Sequence, residues 1–261
     1  MKSIYLQSKI CLSLVVLATS MTSLASKTKD AKGLLPEVNL NSESEDKNQD
    51  MAYKSEMLIT KSENKAIESL QKIIQKKKGT TAEADLLYRL AELYMRRAKS
   101  GRFFDLNGEQ KKAAVSQSAT VSLNAAVKIY DSILTRFPKY VNLDAVHFNI
   151  ALASLQTKQT EKAKIHYTKI TTDFSKSKIY PDALLELGEL YYNQENFTAA
   201  LEQFKKIEAF PKSKAYQYGV YKSAWCYYNL KNNEPAVAKL KQIVESNPAD
   251  TTDEKKFNMR K

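Results

Sequence analysis

Four alanines recur along the chain at a nearly constant spacing, and this register constrains the fold more than any other feature. Ala126, Ala163, Ala200 and Ala236 are separated by 37, 37 and 36 residues. A large residue follows each alanine by four positions and an isoleucine by seven, in the pairs Tyr130 and Ile133, Tyr167 and Ile170, Phe204 and Ile207, and Leu240 and Ile243. A unit of about 37 residues therefore repeats, which predicts a stack of similar units rather than one central core.

A second set of aligned segments precedes these alanines. The segments are LLYRLAELY (86–94), VHFNIALAS (146–154), ALLELGELY (183–191) and GVYKSAWCY (219–227). They share a small residue at one slot, which is Ala91, Ala151, Gly188 or Ala224. Apolar residues recur every three or four positions in both sets, as in amphipathic helices, and six glycines and six prolines leave little material for the turns of an all-β fold. The sequence predicts an all-α chain in which each unit is a pair of helices.

This pattern resembles the tetratricopeptide repeat, which reads W-x₂-L-G-x₂-Y, then A-x₃-F, then P. The third unit matches best, with Leu184-x₂-Leu187-Gly188-x₂-Tyr191 followed by Ala200-x₃-Phe204. The resemblance implies a right-handed superhelix (solenoid) of antiparallel helix pairs, in which small residues let helices approach closely. Among exported proteins of this family, the chain is most similar to bacterial envelope factors of the outer-membrane assembly, Tol-coordinator and gliding-motility groups.

The register also gives the domain boundaries. Repeats are predicted at about 84–142, 144–180, 181–216 and 217–250, after a degenerate half-repeat at 51–79 and before the expected start of a further helix at 251–261. Together, residues 51–250 form the predicted repeat array.

The first unit departs from the others by an insertion. Ala91 and Ala126 are 35 residues apart, whereas the equivalent pair is 12 apart in the later units, so 23 residues are inserted around Arg96–Leu123. The sequence predicts two lengthened helices joined by a projecting loop near Gly101–Gly108. Phe103 and Phe104 would lie at its tip, where they either fold back onto the helices or form a docking knob.

The N-terminus has the features of a secretory signal peptide at 1–25. Lys2 and Lys9 accompany an apolar run that begins at Ile10, and small residues spaced for signal peptidase follow. The run is about half the roughly 20 residues that a membrane-spanning helix needs. Cys11 lacks the residues of a lipid-attachment site before it. We therefore expect an exported, periplasmic protein, with outer-membrane association left open, and a flexible polar linker at 26–50.

Charge and reactive side chains narrow the function classes. The formal net charge of +12 is either spread over solvated helix faces or serves to bind anionic lipid or cell wall. Because the protein is expected outside the cytoplasm, nucleic acid is not an expected partner. His147 and His166 lack the spacing of metal ligands. Cys226 is the one cysteine after signal removal. The sequence predicts no catalytic residue, metal or cofactor, and a thiol-dependent enzyme is a remote alternative.

In a tetratricopeptide superhelix the first helix of each unit lines the concave groove. Carried onto this sequence, the resemblance implies a partner-binding set of aromatic residues: Tyr88, Phe148, Tyr192, Tyr218, Tyr221, Trp225 and Tyr228. It places Glu92, Leu152, Leu185 and Glu189 in the same groove. Our hypothesis is a non-enzymatic scaffold or adaptor that binds a protein of the cell envelope in this groove. The alternative function is that of a basic structural protein on cell wall or anionic lipid. The alternative for the aromatic C-terminal end of the groove is that the chain's own tail or a further repeat covers it.

Overall fold

The computed structural model describes residues 42–106 and 118–246. The predicted signal peptide at 1–25, the linker up to residue 41 and the expected helix start at 251–261 lie outside these ranges. The chain divides into two compact units, Met1–Gln49 and Asp50–Lys261, and the helix packing of the repeats belongs to the second.

Within the described ranges the protein contains nine helices and no strand. They are α1 (Ser42–Lys77), α2 (Glu83–Leu106), α3 (Ala119–Arg136), α4 (Leu143–Gln156), α5 (Thr160–Asp173), α6 (Tyr180–Asn193), α7 (Phe197–Ile207), α8 (Ala215–Asn229) and α9 (Asn233–Ser246). From α2 onward each helix packs against the next, and α6 also contacts α8. This is the neighbour-to-neighbour packing of a repeat array, and the predicted all-α solenoid of helix pairs is confirmed.

The alanine register forms the interior of the array. Ala126, Ala163 and Ala200 are fully buried, and so are the large residues four positions after them, among which is Phe204. Leu240 occupies the same slot in α9 and is 43% exposed. The two other register residues of α9, Ala236 and Ile243, are buried.

The insertion lengthens α2 to 24 residues and α3 to 18, compared with 11 to 15 in the later helices. Gly101 lies inside α2, so the helix continues through most of the stretch predicted as a loop, and residues 107–117 lie outside the described ranges. Phe104 is fully buried, with its ring edge-to-face against Tyr53 of α1 at 5.5 Å. Phe103 is half-buried and packs on Phe104. The two phenylalanines therefore fold back, since α1 covers the apolar side of the extra helical turns.

Helix α1 starts at Ser42, inside the segment 26–50 predicted as a linker. The segment has no apolar period, but its Glu, Asp, Lys and Gln residues are compatible with a helix. Further along, α1 is fixed to α2 by Arg97, which is 1% exposed and donates hydrogen bonds to Asn64 Oδ1 at 3.0 Å and Thr60 Oγ1 at 3.4 Å. No helix in the described part of the chain has the length and hydropathy that crossing a bilayer requires.

Candidate functional site

Four aromatic side chains line one face of α8. Tyr218, Tyr221, Trp225 and Tyr228 are spaced by three, four and three residues, which places them on one side of a helix. Successive ring centroids are 6.1, 6.1 and 5.8 Å apart, and the last two contacts are edge-to-face. Trp225 is 40% and Tyr228 is 56% exposed. We call these four residues the aromatic row; it is a continuous surface whose C-terminal half is open to solvent.

The other side of α8 anchors the helix in the array. Val220, Ser223, Ala224 and Cys226 are buried there. Ser223 donates its hydroxyl hydrogen to the carbonyl of Gly219 at 2.9 Å, so it needs no partner outside the helix. The division of α8 into a packed face and an aromatic face therefore agrees with the repeat register.

A buried lysine connects the aromatic row to the preceding unit. Lys222 is 9% exposed, and its Nζ lies 3.8 Å from the ring centroid of Tyr192 and 3.1 Å from Glu189 Oε1. Asn229 Nδ2 donates to the Tyr192 hydroxyl at 3.2 Å and to the Trp225 carbonyl at 2.8 Å. Asn229 therefore links the Tyr192 hydroxyl to the backbone of Trp225. Helix α6 is also held against α8 by the cation–π contact between Lys222 and Tyr192 and by the ion pair between Lys222 and Glu189.

Sequence reasoning missed Lys222 and Asn229. The available signal was a lysine in the middle of the mostly uncharged helix α8, with Glu189 on the first helix one repeat earlier. A lysine at that position has to find an anion, because burial of an unpaired charge is costly. The repeat pattern could not show which carboxylate would meet it.

Two of the predicted site residues lie apart from the row. Tyr88 packs edge-to-face on Tyr130 at 5.7 Å and accepts a hydrogen bond from Asn149 Nδ2 at 3.3 Å. Burial raises the pKa of Tyr88 to about 12. Phe148 packs edge-to-face on Tyr167 at 5.5 Å. Both side chains are half-buried, and each ring packs on the second helix of its own unit, so the open aromatic surface is concentrated on α8 and the end of α6.

A polar depression of about 510 Å³ lies between α2 and α4. Its lining includes Glu92 and Leu152, two of the residues predicted to face the groove, together with Arg96 and Lys99 from α2. Arg102 donates from Nη2 to Gln156 Oε1 at 2.7 Å and so ties the extended part of α2 to the end of α4. The surface formed by the first helices is therefore mixed in charge in its N-terminal half and aromatic in its C-terminal half.

Cys226 lies in the interior and not in a cleft. It is fully buried in the cluster that includes Leu184 and Phe204, and burial raises the pKa of its thiol to about 12. The neutral thiol is a poor nucleophile and a poor metal ligand, since both roles use the thiolate. Cys226 is a small packing residue of the interior.

The two histidines contact one another. His147 Nδ1 and His166 Nδ1 are 2.8 Å apart, so one ring nitrogen donates to the other. Within the described ranges no group of three or more His, Cys, Asp or Glu side chains is placed to hold a metal ion. The pair is a contact between the two helices of one unit, α4 and α5.

Replacing Cys226 with serine should test the packing role. We expect the free energy of unfolding to fall by about 1 kcal/mol, because a hydroxyl group would be placed in an apolar cluster. Chemical denaturation measures this change, and Cys226→Ala provides the comparison without a polar atom. Partner capture should be unchanged in both variants; loss of a chemical activity in Cys226→Ser would instead favour the thiol-dependent enzyme.

Comparisons with known proteins agree with this architecture. The family model described as tetratricopeptide repeat matches residues 182–213 and 218–250, the units formed by α6 to α9. No curated protein matches the sequence significantly.

Two of the solved structures that share the fold illustrate the similarity. One is a tetratricopeptide repeat protein from Parabacteroides merdae ATCC 43184, with 22% identity, a TM-score of 0.52 and coverage of 77% of this chain and 67% of that one. The other is the MamA protein, with 14% identity, a TM-score of 0.50 and coverage of 72% and 84%. These similarities show the fold alone. The chain carries tetratricopeptide repeats, matched directly at 182–213 and 218–250, within an array of helix pairs of the same fold.

Proposed function

We propose that this protein is a non-enzymatic adaptor that binds an extended segment of a partner polypeptide along its first helices. The aromatic row carries the proposal. Tyr and Trp side chains offer a large contact area with few rotamers to fix and retain a polar group, which is why they are enriched at the energetic centres of protein interfaces. Tetratricopeptide repeat proteins bind protein partners, in agreement with this reading.

The row is also preorganised. Trp225 is held between the rings of Tyr221 and Tyr228, and Asn229 and Lys222 fix the helix against Tyr192. A partner therefore binds side chains that are already ordered, and the entropy lost on association is smaller than for a mobile surface.

The place of action is part of the proposal. The signal-like segment at 1–25 and the resemblance to envelope proteins favour an exported protein whose partner belongs to the bacterial cell envelope. The net charge of +12 favours a second candidate, a structural protein on cell wall or anionic lipid. Binding through charge weakens as salt shortens the Debye length to about 3 Å at 1 M, whereas binding through the aromatic row should persist. Retention on envelope material at low and high salt thus separates the two candidates.

A crosslinking pulldown from envelope extract tests the adaptor. We expect the Tyr221→Ala/Trp225→Ala variant to lose specific partners and to bind any partner so identified at least about tenfold more weakly, since interface aromatics commonly contribute 2 kcal/mol or more.

The matched control is Val121→Ala/Ile165→Ala. Both side chains are exposed, at 52% and 66%, and lie on the second helices α3 and α5. This variant should capture the same partners as the unmodified protein. Identical partner lists from all three proteins would exclude the aromatic row as the binding surface.

A further inference from the structure

Helix α2 is longer than the first helices of the later units and continues past the point where they end. Helix α4 ends at Gln156, whereas α2 extends through Arg96, the residue in the equivalent repeat slot, to Leu106. Arg96, Lys99 and Arg102 follow one another at intervals of three residues, so they lie along one side of α2. We call these three residues the basic edge.

The basic edge borders the open depression between α2 and α4, which has a volume of about 510 Å³. Arg96 and Lys99 line this depression, and both side chains are exposed. Arg102 donates from Nη2 to Gln156 Oε1 at 2.7 Å, and Gln156 also lines the depression. Because its oxygen accepts this bond, the Gln156 amide retains its N–H groups as donors. The lining thus offers several hydrogen-bond donors, two of which carry a positive charge.

Within residues 42–106 and 118–246, no ion pair neutralises Arg96 or Lys99. The ion pairs of α3, for example, join other basic residues to carboxylates, as in the contact between Lys162 and Asp131. Glu92 is the acidic residue of the lining, and it faces the two cations. The depression therefore keeps an excess of positive charge, and a concave surface concentrates the field of such an excess.

Ordered polar and apolar side chains complete the lining. Asn149 Nδ2 donates to the Tyr130 hydroxyl at 2.9 Å, which fixes both side chains. Met95 and Leu152 are half-buried and contribute apolar surface. A group that fits this combination carries a carboxylate on a short aliphatic stem, as glutamate and aspartate side chains do.

We propose that the depression binds an acidic side chain of the partner polypeptide, whose carboxylate pairs with Arg96 and Lys99. The aliphatic carbons of that side chain then lie against Met95 and Leu152. This inference rests on the proposed adaptor function and specifies its ligand: a segment that is acidic at α2 and apolar or aromatic at the aromatic row. Charge sets the register of the segment, because a basic residue at this point would meet two like charges.

Titration with capped peptides, followed by NMR of the labelled full chain, tests the site. The probes are N-acetylated, C-amidated tetraglutamate and tetraglutamine, used at low ionic strength, where exposed charges are least screened. We expect saturable shifts in α2 and α4 with tetraglutamate and none with tetraglutamine. Arg96→Gln/Lys99→Gln should weaken tetraglutamate binding by about fivefold or more, since two exposed ion pairs are lost.

The matched control is Lys128→Gln/Lys205→Gln. It removes the same charge from two exposed positions on the second helices α3 and α7, and it should bind tetraglutamate as the unmodified protein does. Equal weakening in the two variants would show that binding follows net charge alone and would overturn the site. Tetraglutamate binding that Arg96→Gln/Lys99→Gln does not alter would do the same.

Two further probes distinguish other anionic ligands. Tetraglutamine with a free C-terminus carries only a terminal carboxylate, and we expect no binding. Phosphatidylglycerol vesicles should bind Arg96→Gln/Lys99→Gln and its matched control equally. Binding of the free-terminus peptide but not of capped tetraglutamate would assign the depression to a chain terminus. Vesicle binding that depends on Arg96 and Lys99, with no binding of tetraglutamate, would assign it to a lipid headgroup; either result contradicts the acidic side chain.

The outcome is separable from that of the adaptor proposal, because the Tyr221→Ala/Trp225→Ala variant retains the basic edge. If this variant captures the same partners as the unmodified protein while tetraglutamate still requires Arg96 and Lys99, the aromatic row fails as the binding surface and the acidic-ligand site remains. If partners depend on the aromatic row but tetraglutamate does not depend on Arg96 and Lys99, the acidic-ligand site fails alone.

Discussion

Gly188→Ala is expected to lower the free energy of unfolding by about 3 kcal/mol, although alanine is normally the better helix former. A Cβ at this position would lie 2.8 Å from both Cδ1 and Cζ of Phe204 and closer still to Cε1. Phe204 is fully buried in the interior of the array, so its ring has no free space into which to move. Chemical denaturation measures the loss as a lower midpoint with an unchanged slope.

Gly219→Ala is the matched control. Gly219 is also buried within a helix, but its added Cβ would meet the Ile207 side chain at 3.0 to 3.2 Å, a contact that a small shift relieves. We expect a change within about 1 kcal/mol, because the gain in helix propensity offsets the tighter contact. Phe204→Leu should restore part of the stability of Gly188→Ala, as a double-mutant cycle would show. Additive effects of the two substitutions would contradict the steric explanation.

The second large effect is a loss of stability in acid that depends on the histidine pair. Burial, then the neighbouring His147, lowers the pKa of His166 to about 4, compared with about 6.5 in an unfolded chain. Between pH 6.5 and 4 the unfolded chain therefore binds a proton that the folded chain does not, so the free energy of unfolding falls as the pH falls. Allowing for partial screening by solvent, we expect His166 to account for a loss of about 2 kcal/mol over this window.

Charged groups around the pair modulate this effect. For His166, the carboxylate of Asp131 raises the pKa and the ammonium group of Lys162 lowers it. For His147, Lys169 lowers the pKa, and three carboxylates raise it: Asp173, Asp131 and Asp144. Burial also lowers the pKa of His147, which acts in the same direction as the change at His166. The raised pKa values of buried carboxyl groups such as Glu186 act in the opposite direction, since they favour the folded state in acid.

Comparison with His166→Phe isolates the histidine contribution, because the carboxyl groups are common to both proteins. Urea denaturation at several pH values should give profiles that diverge below about pH 6.5, with the unmodified protein losing more stability. The chain has only two histidines, so NMR titration can also follow each ring directly. Parallel stability profiles, or a His166 midpoint near 6.5, would contradict the prediction.

The repeat register predicted the fold because each slot has one physical requirement that repeats with the unit. Ala200 and Gly188 have to be small where helices approach closely, and Phe204 fills the space that they leave. The same register separated Ala224, which is buried, from the exposed Trp225. A pattern that recurs through four units can be read without coordinates.

The insertion and helix α1 were less predictable. The insertion interrupts the register and the half-repeat in α1 is degenerate, so their structure depends on contacts with other segments. Tyr53 of α1 packs against the buried Phe104, and nothing in the local sequence identifies that partner. The candidate site has the same limitation: the aromatic spacing of α8 was visible, but the half-buried state of Tyr88 and Phe148 depends on how their rings pack on Tyr130 and Tyr167 of the second helices.

By itself the sequence determined the helical fold, the length of the unit and the two faces of α8, because these follow from local periodicity and residue size. Only the tertiary structure decided which charges and polar groups meet: Lys222 with Glu189 and Tyr192, and His147 with His166. The physical reason is that apolar burial depends on periodicity, which a sequence displays. Hydrogen bonds and ion pairs depend on distances of about 3 Å between residues far apart in the chain, and only folding sets those distances.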